Sequence, residues 1–202
     1  NVLGLKFLFS EISQGLLNKT AIAAAVFMLF SNIAIGIFDV TYNKFYLEVL
    51  GMTGEDIGTI RPVGMWLGGL IGFSVGLISF YLGKRMLLVA FLVSQILLFI
   101  FLSTFNTETS QQLGSLVIIG LDITEAAVKV IIFAILMALC TTQTSATNFG
   151  IFMGFANLST ILGNSIAPIL MEYLSYDLTY VFAGLSLVPC IVLTFYLTAA
   201  KN

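Results

Sequence analysis

The stretch GMWLGGLIGFSVGLISFYLGKR, residues 64–85, decides the fold. Gly64, Gly68, Gly72 and Gly76 recur every fourth residue, and residues four apart share one helix face. A stripe of four glycines makes a smooth groove into which another backbone can pack closely. In lipid, where apolar burial drives no association between helices, such small faces are how helices meet. Gly83-Lys84-Arg85 closes the run, and a basic pair after an apolar segment marks a cytoplasmic turn. This one segment therefore predicts a spanning helix, its packing face and its direction.

Composition agrees. Of 202 residues 59% are hydrophobic and 9% are charged, against roughly 25% charged in a soluble domain. The chain reads as an all-α integral membrane protein. Net charge is −2 with eight basic residues, which argues against a nucleic-acid partner. Histidine is absent, so imidazole metal sites, Ser-His catalysis and His proton relays are excluded. Cys140 and Cys190 lie in apolar stretches without metal-ligand spacing and read as packing residues. No cofactor or metal is expected. Beginning at Asn1 without Met or signal peptide, the chain reads as a piece of a longer protein.

A span needs about 20 apolar residues, and six are expected, over residues 20–47, 57–82, 86–105, 113–140, 146–172 and 177–199. Arg61-Pro62 is placed in the first turn of the second, where Pro is tolerated. Lys6, Lys19, Lys84, Arg85 and Lys201 fall on one side of this arrangement. Glu48, Glu55, Asp56, Glu108, Glu172 and Asp177 fall on the other, with Arg61 as its one base. The positive side is cytoplasmic, so both termini are expected inside. Residues 1–19 carry Leu5, Leu8, Phe9, Ile12 and Leu16 at helical spacing. They read as an amphipathic helix on the cytoplasmic surface, and 200–202 as a cytoplasmic tail.

Three parts of the chain carry a resemblance. Leu50 to Gly58, the glycine ladder and the Lys84-Arg85 turn together resemble the first two helices of a major facilitator superfamily half. No Asp precedes the basic pair, a departure from that superfamily's loop. Gly163-Asn164-Ser165-Ile166-Ala167-Pro168 is similar to its Gly/Pro-rich fifth or eleventh helix. More narrowly, Leu136 to Cys140 followed by Ser145 to Phe149 resembles the helix-ten to helix-eleven turn of AmpG-type muropeptide permeases. The resemblance implies a twelve-helix, proton-coupled importer of the bacterial inner membrane. This chain would be its C-terminal six helices, a three-plus-three inverted repeat, partnered by an N-terminal six-helix half and led by the end of the central linker. The implied cargo is a small polar solute such as a muropeptide.

Ionisable groups inside lipid are costly and usually face a cavity. Asp122, Glu125 and Lys129 share one face of the fourth span at spacings of three and four, and Asp39 of the first span lies at a depth similar to Asp122. These four are the proton-coupling candidates. In a low-dielectric cavity a carboxylate holds a proton more readily and a neighbouring lysine opposes this, so relative movement would switch proton affinity. The alternative is a permanently paired triad that fixes helix packing. Asn32, Asn43 and Tyr46, in a stripe with Asp39, and Asn157 and Asn164 on the fifth span are the substrate-binding candidates, the amides alternatively bonding helix to helix. Gly150 and Gly154 are expected to pack closely beside them. Lys44 reads as snorkelling outward. Arg61 reads as an interfacial anchor, with steering of an anionic substrate as the alternative. An enzyme is not expected: the one conceivable dyad, Asp39 with Asp122, would need contact at about 3 Å. A non-transporting six-helix scaffold or channel subunit is the remaining alternative function.

Overall fold

The computed structural model describes residues 19–140 and 145–199. The expected amphipathic helix with Lys6, the 141–144 turn and the tail with Lys201 lie outside the described residues. Among the described residues the elements are all helices: α1 (Lys19–Ser31), α2 (Ile33–Glu48), α3 (Gly54–Leu82), α4 (Lys84–Leu102), α5 (Gln111–Leu139), α6 (Ser145–Tyr173), α7 (Tyr176–Ser186) and α8 (Val188–Ala199). Five rods are long and apolar enough to cross a membrane: Lys19–Glu48, Gly54–Leu82, Lys84–Leu102, Ser145–Tyr173 and Tyr176–Leu197. The protein is an integral membrane protein. The sixth rod, α5, is 29 residues long, about 43 Å at 1.5 Å per residue. Asp122, Glu125 and Lys129 set it apart from the others.

The first and last rods are each broken, which the apolar run does not reveal. α1 ends and α2 begins around Asn32, whose backbone N–H donates to the Ser159 hydroxyl at 3.1 Å instead of continuing the helical ladder. Its side-chain amide donates to the Ala156 carbonyl at 3.3 Å. The break between α7 and α8 falls at Leu187. Pro189, just beyond it, lacks the N–H that a continuous helix would use.

The start of α3 differs from expectation in a way that matters for the site. The Thr53 side chain accepts from the Asp56 N–H at 3.1 Å, and the Asp56 carboxylate accepts from the Thr53 N–H at 2.9 Å. This reciprocal capping box satisfies two of the helix's orphan donors. It starts α3 at Gly54, three residues earlier than expected. Gly51, with φ of 61°, makes the turn before it, a conformation that costs glycine nothing. Arg61 is therefore in the third turn of the helix, about 10 Å from its start, and Pro62 sits inside the helix rather than in its first turn.

α3 lies along α5, and Gly64, Gly68 and Gly72 are buried there. A Cβ at Gly68 would stand 2.9 Å from the Asp122 carbonyl oxygen, and one at Gly72 would stand 3.3 Å from Val130 Cγ2. Gly76 is at the looser end, with 3.4 Å to Val130 Cγ1. A second close crossing joins α2 to α6. A Cβ at Gly36 would meet the Thr160 carbonyl oxygen at 2.7 Å and the Gly163 Cα at 3.0 Å. α2, α3, α5 and α6 thus touch in a ring, while α4, α7 and α8 close the remaining side of α5, α2 and α1. Phe38, Phe45, Phe99 and Tyr180 pack edge to face inside, fully buried.

Candidate functional site

Asp39 of α2, Arg61 of α3 and Asp122 of α5 meet in one ion-pair bridge. Arg61 Nη2 donates to Asp39 Oδ1 at 2.7 Å. Arg61 Nε lies 3.3 Å from Asp122 Oδ1, an ion pair without hydrogen-bond alignment. The guanidinium also stacks on two rings of α2, 4.7 Å from the Tyr42 centroid and 5.4 Å from that of Phe38. Planar, stacked and shared between two carboxylates, it uses what distinguishes arginine from lysine.

The ladder makes room for this. A Cβ at Gly64 would overlap the Asp122 carboxylate, so the first rung of the glycine stripe is the berth of an acid. Burial falls off across the bridge: the Asp122 side chain is 5% exposed, that of Arg61 14% and that of Asp39 38%. Asp122 Oδ2, Arg61 Nη1 and Arg61 Nε are buried without a hydrogen-bond partner. Such orphaned polar atoms are costly, and they leave the bridge one acceptor atom and two donor atoms without a hydrogen bond.

The other two coupling candidates form their own pair. Lys129 Nζ bonds Glu125 Oε1 along α5, as the spacing of four allows. The expected single cluster is thus two units: an Asp39–Arg61–Asp122 bridge across three helices, and a Glu125–Lys129 pair one turn below on α5. Three carboxylates against two bases leave one excess negative charge. One guanidinium reaches both Asp39 and Asp122. They are joined through Arg61 rather than to each other.

Arg61 corrects the expectation of an interfacial anchor. Its position in the third turn, set by the capping box, carries it inward between α2 and α5. Lys44 pairs with Glu48 at 3.9 Å, both well exposed.

The substrate-binding candidates separate. Asn43 is exposed, as are Asn157 and Asn164 on α6. The Asn164 amide, turned so that its nitrogen donates, reaches the Gly36 carbonyl at 2.9 Å. Asn32 and Tyr46 leave the expected stripe. Asn32 is spent on α6, through Ser159 and the Ala156 carbonyl. Tyr46 is fully buried, and its hydroxyl donates to the Gly114 carbonyl at 3.2 Å, where α5 has no side chain to exclude the ring. Gly150 and Gly154 are exposed and touch nothing in the described chain.

At the opposite end of α3, the basic turn is a single glycine, Gly83, with φ of 81°. Lys84 Nζ donates to the Ala134 carbonyl of α5 at 3.3 Å, and the Arg85 guanidinium lies 4.1 Å over the Phe195 ring of α8.

No family profile matches the chain, and no solved structure matches it. Two curated proteins are. Over 177 residues, 85% of this chain, it is 27% identical to "Putative transporter AmpG 2" of Rickettsia felis. Over 182 residues, 87% of this chain, it is 27% identical to the protein of the same name from Rickettsia prowazekii. The chain spans 42% and 43% of their lengths. The resemblance read from Leu50–Gly58, the ladder and the Leu136–Phe149 turn is borne out: the chain is similar, over most of its length, to proteins named as AmpG transporters.

Proposed function

We propose that this chain is one half of a secondary active transporter that imports a small polar solute by alternating access, coupled to protons. In this reading the six rods are six spans arranged as a three-plus-three inverted repeat, with both ends cytoplasmic. An N-terminal six-helix half completes the cavity in the bacterial inner membrane. The similarity to proteins named as transporters supports the class. The observation that carries the mechanism is the buried Asp39–Arg61–Asp122 bridge.

Charge balance gives the bridge its use. Its one excess negative charge sits in a low-dielectric span, where a charge is expensive. One proton taken up at the free Asp122 Oδ2 balances it. Protonation also weakens the hold of Asp122 on Arg61, which then keeps only Asp39. Because the bridge joins α2, α3 and α5, losing one arm loosens α3 against α5. Uptake of a proton thus becomes a change in helix packing, and a ligand that binds the two packings unequally is coupled to it. Exposed Asn43 and Asn157 are the amides left to meet a sugar or peptide, and Asn164, its nitrogen on the Gly36 carbonyl, adds an amide oxygen. A muropeptide-like amino sugar is the substrate class favoured by the AmpG likeness.

The test is uptake of labelled anhydromuropeptide by the full-length transporter in cells lacking their own permease. Uptake should be saturable, abolished by a protonophore, and at background in Asp122→Asn with normal amounts of protein in the membrane. Unchanged uptake in Asp122→Asn would sink proton coupling through this bridge.

A further inference from the structure

Arg85 has no carboxylate partner among the described residues, and none is near in sequence. Glu48, Glu55, Asp56, Glu108, Glu172 and Asp177 all lie at or near the opposite ends of the helices, and Asp39, Asp122 and Glu125 are engaged as described. The guanidinium is nevertheless held in place by the Phe195 ring. Such a cation–π contact fixes a cation's position while leaving its N–H edge free. Beside it is a concavity of about 410 Å³ lined by Leu82, Gly83, Arg85, Met86, Val89 and Phe195. Five of these six residues are apolar and one is cationic. Gly83, with no side chain, opens the rim at the α3–α4 turn. Lys84 adjoins it, with one of its three N–H donors used on the Ala134 carbonyl.

We propose that this concavity is a binding site for an anionic phospholipid of the leaflet facing the basic turn. The headgroup phosphate pairs with Arg85, and an acyl chain lies along Met86, Val89 and Phe195. A soluble phosphate would satisfy the guanidinium but leave the apolar wall wet. A zwitterionic lipid would cover the wall and offer a phosphate, but its own headgroup cation offsets that charge and repels the guanidinium. Basic pockets between helix ends on that side are suited to anionic headgroups. The site is separate from the Asp39–Arg61–Asp122 bridge, at the far end of α3, and stands whether or not the chain transports.

The experiment is native mass spectrometry of the full-length protein released from detergent, with phosphatidylglycerol and phosphatidylcholine of identical chains. Phosphatidylglycerol should be retained about fivefold more tightly, the effect of roughly 1 kcal/mol that one basic residue supplies at a leaflet surface. Arg85→Gln should erase the preference. Val89→Phe, which fills the concavity and keeps the charge, should lower retention of both lipids. Inorganic phosphate at millimolar concentration should not displace bound lipid. Equal retention of the two lipids, an unaltered preference in Arg85→Gln, or displacement by phosphate alone would each overturn the site. Unfolding temperatures of both variants, measured without added lipid, separate loss of the site from loss of the fold.

Discussion

Arg61→Gln should be the most damaging single change at the bridge, lowering stability by about 3–5 kcal/mol, as for a buried pair that loses one partner. The reason is the burial gradient. Asp122 is 5% exposed and would be left as a buried carboxylate with no guanidinium beside it, costly whether it bears the charge or is forced to give it up. Asp39, at 38% exposed, can turn to water, so Asp39→Asn should cost much less. Asp122→Asn placed in the Arg61→Gln background should recover a large part of the loss, because it removes the stranded carboxylate. Unfolding of the four proteins in detergent, read as a double-mutant cycle, isolates the pair. A double variant no more stable than Arg61→Gln would show that the two residues do not depend on each other.

Substitution at the ladder should have the second large effect, and it should depend sharply on which glycine is changed. At Gly68 a new Cβ meets the backbone carbonyl oxygen of Asp122 at 2.9 Å and the Ala126 Cβ at 3.2 Å. Neither can swing aside, so Gly68→Leu must push α3 off α5. Overpacking of this kind costs about 1–3 kcal/mol or more, and here it also parts Arg61 from Asp122. At Gly72 the nearest atom is a Val130 methyl at 3.3 Å, so Gly72→Ala should be mild while Gly72→Leu is not. Gly69 has nothing within 4 Å, and Gly69→Leu should be tolerated, gaining helix propensity. Folded yield and uptake, measured together, should fall in Gly68→Leu and hold in Gly69→Leu. Full uptake in Gly68→Leu and Gly72→Leu would remove the close approach of α3 and α5 from the mechanism.

What the sequence could and could not show follows from which forces it displays. The period-four glycines were legible as one face of α3, because a helix face is a local property, and Gly64, Gly68 and Gly72 are buried. The apolar runs located the rods for the same reason. The Asn32 break was hidden, since no Pro or Gly marks it and it is held by Ser159, over a hundred residues away, whereas the Leu187 break had a local sign in Pro189 that the apolar run masked. Glu125–Lys129 was legible as a spacing of four on one helix. The Arg61 bridge was not, because its partners lie on two other helices. One local signal was present: Thr53-Gly54-Glu55-Asp56 has the form of a capping box. Starting α3 there draws Arg61 from the mouth to the interior. Tyr46 shows the opposite case, a polar residue at cavity spacing that the missing side chain of Gly114 draws into the core.

The central claim is that a proton enters on Asp122 with each solute. It is tested most directly in proteoliposomes of the full-length transporter, by recording internal pH when solute is added outside with no imposed gradient. The parent should acidify the interior on addition of anhydromuropeptide. Asp122→Asn should give no acidification yet still exchange labelled for unlabelled solute, since its bridge is fixed in the neutral form. Solute-driven acidification of normal size in Asp122→Asn would contradict the account.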